Sequence, residues 1–318
     1  MDISRRKLWA LVGLGLVPAG ELMTGGRGVF VEHAHDVIDD LFAGYGGRDL
    51  AVTAATAGTH LRGLLALDTA RMTSGARAEL LTLEVRIGAL QARAFTDAGQ
   101  TAAARGAILG ALARSARAGH RDALTYLYAT RSAVELQEGQ ADAAASSAGK
   151  AAAISPFDPR GHLAAARAHA ARGDTDAAAA AVVTAERLVD AAAAPMVGPP
   201  APGAVSRLEW ARAAVDVYAR IGDAGRARTV LDETVTAVPA GLRRDTARAL
   251  GASHARVLAR TDPEEGAHIL HETLMASVAM GTPARTVVER VDAFLAAAPG
   301  DHIAVRGLRA ARRDVVEV

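Results

Sequence analysis

Arginines recur at helical spacing along this chain. Arg86 and Arg93 stand seven residues apart, and so do Arg160 and Arg167; Arg212 and Arg220 are eight apart. Residues seven apart fall nearly on one side of a helix. A guanidinium is a planar fork that grips carboxylate or phosphate oxygens two at a time. Paired forks on one helical face therefore suit an acidic peptide tail or an anionic small molecule. The same arginines would also serve as a solvated, mutually ion-paired surface, and the residue types alone leave both readings open.

Other chemistry finds less support. The chain has ten His and no Cys, which excludes disulfides, thiolate catalysis and Cys-ligated metals. His268 and His271 with Glu265 and Glu272 share a helical turn, but their order is not His-Glu-x-x-His. His33 and His35 would point to opposite sides of a helix. No Gly-x-Ser-x-Gly elbow and no phosphate loop ending in Gly-Lys-Ser/Thr occurs, and Gly13-Leu14-Gly15 lacks the flanking strand and helix of a dinucleotide site. Paired carboxylates such as Asp39-Asp40, Asp232-Glu233 and Glu264-Glu265 suit helix starts and surfaces. The expectation is a chain that is not an enzyme, with no cofactor and no metal.

The elements that must carry the arginines are legible as a repeat. Gly139 and Gly173 each open a Gly-x-x-Asp/Ala turn followed by alanines, and they lie 34 residues apart. That is the period of the tetratricopeptide repeat, one helix–turn–helix per unit. A glycine accepts the positive φ that ends the first helix, and small residues follow where the two helices touch. Around Gly222, Tyr218, Ala227, Leu231 and Pro239 sit at the offsets that the repeat consensus expects. Gly99 starts the same pattern, with Ala104, Ile108 and Ala111 matching Ala144, Ala148 and Ala151 after Gly139. The units read as residues 77 to 118, 121 to 156, 159 to 191 and 205 to 239. A degenerate pair follows at 241 to 281, turning at Thr261-Asp262-Pro263, and a last pair at 283 to 313 splits at Pro299-Gly300-Asp301. The Pro-rich run Val197 to Gly203 must be a loop. Upstream, Val29 to Phe42 and Leu50 to Leu67 read as two helices separated by Gly44, Gly46 and Gly47.

The fold expected is all-α: a right-handed superhelical solenoid of about six or seven tetratricopeptide-like hairpins. Setting each glycine at its turn places Arg86, Arg93, Tyr126, Gln137, Arg160, Arg167, Arg212 and Arg220, with Glu209, on the inner faces of the first helices. Those residues are the candidate groove for a peptide or protein. Half of the 318 residues are hydrophobic and only 3% aromatic, so the interior is expected to be thin and alanine-rich. With a net charge of +1, the chain as a whole has no electrostatic footprint for nucleic acid.

Residues 1–26 form a separate segment ahead of the helical domain, 27–318. Ser4-Arg5-Arg6-Lys7-Leu8-Trp9 precedes an apolar run from Leu8 to Ala19, too short to span a bilayer. It reads either as a linker or as a twin-arginine export signal with Val17-Pro18-Ala19 as its cleavage site. The two readings divide localisation between the cytoplasm and an exported, cell-surface scaffold.

The order of motifs also resembles the tetratricopeptide effector region of actinobacterial helix-turn-helix transcriptional regulators of the XRE type. Ser4-Arg5-Arg6-Lys7-Leu8 resembles the linker after their DNA-binding domain. Asp40-Leu41-Phe42 and Leu61-Arg62-Gly63-Leu64-Leu65 resemble their first helices. Glu289-Arg290-Val291 and His302-Ile303-Ala304-Val305-Arg306-Gly307-Leu308 resemble their closing ones. No run before residue 27 could hold three short helices, so DNA binding is not carried over. What the resemblance implies is the sensor or partner-binding half of such a regulator, acting as a homodimer and binding a protein or peptide.

Overall fold

The computed structural model describes residues 35–42, 45, 49–66, 72–198, 205–279 and 285–316. The segment 1–26, with its twin-arginine motif, lies outside them, as does most of the Pro-rich loop. Every regular element among the described residues is helical, and no strand occurs there. A helix over 35–42, α1, is followed by α2 (Leu50–Leu65), α3 (Ser74–Asp97), α4 (Thr101–Ala118), α5 (Arg121–Gln137) and α6 (Ala141–Ile154). Then come α7 (Pro159–Arg172), α8 (Thr175–Ala191), α9 (Arg207–Arg220), α10 (Ala224–Ala237), α11 (Arg243–Thr261), α12 (Pro263–Ala279), α13 (Arg285–Ala297) and α14 (Ile303–Val316). A 3-10 turn, Ala240–Leu242, leads into α11.

The breaks between helices have local causes. Gly139 and Gly173 adopt φ of 73° and 81°, where a side chain would be strained. This lets the Gln140 amide donate back to the Glu135 carbonyl at 2.8 Å and the Gly139 amide to Leu136 at 3.0 Å, satisfying carbonyls that the helix end leaves open. The same double closure recurs after α3, α4, α7 and α9. Helix starts are capped by short polar side chains. Asp49, Thr73, Ser206 and Asp223 accept from amides three residues on, and Asp158 accepts from the Arg160 amide at 2.9 Å with Pro159 at the first helical position.

Packing follows chain order. Every substantial helix–helix contact among the described elements joins helices one or two steps apart. Consecutive helices pack against one another, and α3, α5, α7, α9 and α11 each also touch the next odd-numbered helix. Alanines make this closeness feasible: Leu163, Ala166 and Ala170 of α7 share one cluster with Ala178, Val182 and Ala185 of α8. The interior is accordingly split into local clusters along the chain. One is built on α1–α3 around Phe42, Leu64, Leu83 and Leu90; another on α11–α14 around Leu270, Phe294, Val305 and Leu308. No described helix is long and apolar enough to cross a membrane.

Candidate functional site: an arginine-lined pocket

The odd-numbered helices from α3 onward bring the paired arginines together. At the first end, Arg86 of α3 is taken up by α1: it pairs with the Asp39 carboxylate, approaches His35 Nδ1 at 3.3 Å and lies over the Phe42 ring at 5.8 Å. Gln137 donates its Nε2 hydrogen to the Thr96 carbonyl at 3.0 Å, tying α5 to the last turn of α3. These two side chains hold helices against one another.

Arg93 lies further along α3. Its Nε donates to Asp97 Oδ2 at 2.8 Å, and the Tyr45 hydroxyl donates to the same oxygen at 2.8 Å. Asp97 raises the Arg93 pKa well above its ordinary value, against the opposing effect of burial. Burial and then Asp97 do the same to Tyr45.

The pocket opens beyond this pair. Arg93, Tyr126, Arg160, Arg167 and Glu209 surround it, over a floor that includes Ala129, Ala133 and Ala164. Its empty space is about 430 Å³, continuous with solvent. The small floor residues belong to the same alanine pattern that lets α5, α7 and α9 approach closely. Arg160 is only 5% exposed and is held from three sides. Asp158 lies 3.5 Å from it, Glu209 of α9 lies 3.9 Å away, and its guanidinium stacks over the Tyr126 ring at 5.1 Å. Burial raises the Tyr126 hydroxyl pKa, so it stays protonated at neutral pH.

Arg167 and Arg212 are placed differently. Neither guanidinium has an ion pair or hydrogen bond to a described residue. Burial lowers the pKa of both. For Arg167, Asp216 and Glu209 offset this in part while Arg93 and Arg290 add to it; for Arg212, Arg290 and Arg93 add to it while Glu209 and Asp97 oppose. Arg167 lines the pocket and is half-buried, whereas Arg212 lies outside the lining. Arg212 is exposed, one helical turn along α9 from Glu209.

Past them, Asp216 lies 4.0 Å from Arg290 of α13. Burial pushes its carboxyl upward, but Arg290, Arg220, Arg167 and Arg256 together hold it below the ordinary value. Arg220 is exposed, and Arg256 of α11 loses basicity first to burial and then to Arg220.

The groove expected from the sequence is thus divided. Arg93, Tyr126, Arg160 and Arg167 line one pocket, Arg212 and Arg220 continue its face, and Arg86 and Gln137 serve inter-helix packing. Arg256, Arg290, Asp97 and Asp216 join the site without having been singled out for it. For the two carboxylates a signal existed: Arg93 and Asp97, and Arg212, Asp216 and Arg220, follow the four-residue spacing of helical ion pairs. Arg256 lies on a helix whose turn, Thr261-Asp262-Pro263, has no glycine, and Gly300 after the helix of Arg290 lacks the positive φ of the repeat glycines, so their register was not readable. The pocket presents guanidinium forks over an apolar floor, an arrangement that binds oxyanions. Compared with models of known families and with curated proteins, the chain matches none.

Proposed function

We propose that this chain is a non-enzymatic binding module, a right-handed solenoid of tetratricopeptide-type hairpins whose inner face takes an anionic peptide segment of a partner protein. One observation carries the reading: Arg93, Arg160 and Arg167 line one pocket, and Arg167 there has no ion pair or hydrogen bond to a described residue. Holding the half-buried Arg167 guanidinium without a counter-charge of its own costs free energy, and an incoming anion recovers it. The lining offers no nucleophile set beside a base. The sensor half of a regulator, which the sequence resembles, is a role of this kind.

The test is fluorescence anisotropy of a labelled Asp/Glu-rich peptide with the full chain. Binding should weaken as salt rises. Arg167→Gln and Arg212→Gln should each cost about 1.5–3 kcal/mol, the worth of a charge-assisted hydrogen bond. Arg105→Gln, at the Arg105–Glu138 pair between α4 and the end of α5, should bind as the parent does. Equal binding by all four proteins would remove this pocket from the function.

A further inference from the structure

One carboxylate belongs to the lining of the pocket itself. Glu209 of α9 shares that lining with Arg93, Arg160 and Arg167, and its side chain is 28% exposed. Its Oε1 lies 3.9 Å from Arg160 Nε. Arg160 has closer company: Asp158, with a side chain 9% exposed, lies 3.5 Å away, and the Tyr126 ring stacks on the guanidinium at 5.1 Å. Glu209 also has a second place to go. Ser206 and Glu209 stand three residues apart at the start of α9, the Ser-x-x-Glu spacing of a capping box. Half of the box is formed, because the Ser206 hydroxyl accepts from the Glu209 amide at 3.1 Å. The other half would turn the Glu209 carboxylate back to the Ser206 amide. It is turned toward α7 instead.

We infer that Glu209 is a built-in occupant of the pocket: its carboxylate holds the place of the partner's acidic side chain, and it returns to the Ser206 amide when that side chain binds. The inference rests on the reading of this pocket as an anion site. At 3.9 Å and partly exposed, the contact between Glu209 and Arg160 is longer than a hydrogen bond and weak. It yields to a ligand carboxylate that makes charge-assisted hydrogen bonds to the forks. Asp158 and Tyr126 keep Arg160 in place during the exchange. The carboxylate that enters replaces the one that leaves, so the charge inside the pocket stays matched. Were Glu209 to stay, two like charges would meet there and oppose binding. Glu209 therefore sets the affinity of the pocket, and its removal strengthens binding.

The experiment uses the full chain and the labelled Asp/Glu-rich peptide, read by fluorescence anisotropy. Glu209→Gln removes the charge and keeps a residue that serves a capping box. Glu272→Gln, on α12 beside His268, makes the same change in net charge away from the pocket. Glu209→Gln should bind the peptide about tenfold more tightly than the parent. Glu272→Gln should stay within about twofold of it. A second measurement needs only the parent: the Ser206 amide proton should shift downfield in the NMR spectrum as the peptide saturates, because Glu209 then closes the box. Peptide binding that is equal in Glu209→Gln and parent would overturn the inference and leave the anion site standing. Weaker binding by Glu209→Gln would overturn it too, since Glu209 would then hold the ligand. An equal gain in Glu272→Gln would assign the effect to net charge and overturn it likewise. An unmoved Ser206 amide in the saturated parent would overturn it without any variant. No binding by the parent or by either variant would overturn both the inference and the anion site.

Discussion

Gly161 of α7 lies so close to Ala152 of α6 that a Cβ at position 161 would stand 2.6 Å from the Ala152 nitrogen. The obstacle is backbone, which cannot swing aside. Gly161→Ala should therefore destabilise the protein by about 1–3 kcal/mol despite the better helix propensity of alanine. Chemical denaturation measures this; unchanged stability would mean that the two helices are not in such contact.

Gly149, in the exposed middle of α6, gives the opposite sign. Nothing lies within 4 Å of a Cβ built there. Gly149→Ala should stabilise by about 0.5–1 kcal/mol. Gly139, two residues before that helix starts, has φ of 73°, and Gly139→Ala should cost about 1–2 kcal/mol. Three glycines within one hairpin and its neighbour thus give a sign test of the packing.

Asp216 should show stability and affinity moving apart. Asp216→Asn leaves Arg290 and its neighbours without their carboxylate and should cost about 1–3 kcal/mol at pH 7. The same change makes the face more positive, so anionic peptides should bind more tightly. Because the folded carboxyl titrates below the unfolded one, its contribution is complete above the unfolded value of about 3.9 and is lost as pH falls through the lower folded value. Denaturation of parent and variant at descending pH should converge in that acidic window.

His254 of α11 gives a second pH dependence. It is buried, and burial, with Arg228 adding and Asp232 opposing, lowers its pKa. The unfolded imidazole takes up its proton near pH 6.5, before the folded one does, so stability should fall as pH drops below that value. His254→Gln should flatten this slope. If parent and variant lose stability in parallel between pH 7 and 5, roughly, the imidazole is not the cause.

The helices were legible because their punctuation is local. Gly139 and Gly173 mark ends that depend only on φ, and Asp262-Pro263 marks a start, so α5 to α8 and the α11–α12 turn fall where the sequence places them. Helix α3 begins at Ser74, three residues before the expected Arg77, because Thr73 accepts from the Ala76 amide. The arginine-bearing face was less legible. Helical periodicity put Arg160 and Arg167 on one side of α7, but it could not tell that Asp158 and Glu209 engage the first and leave the second. That difference depends on how far α9 is shifted along α7, and on Arg93 and Arg290 arriving from helices distant in sequence. Gln137 shows the same limit: its face was predicted, while its bond to Thr96 required the separation of α3 and α5.

Because each described hairpin leans chiefly on its immediate neighbours, the packed helices have the mechanics of a spring. Tension applied between its ends would be shared by many thin alanine seams, none of which alone closes the structure. Stretching should yield a series of small extensions in place of one large rupture. A molecule that bridges distant hairpins would stiffen the row of helices simply by being held.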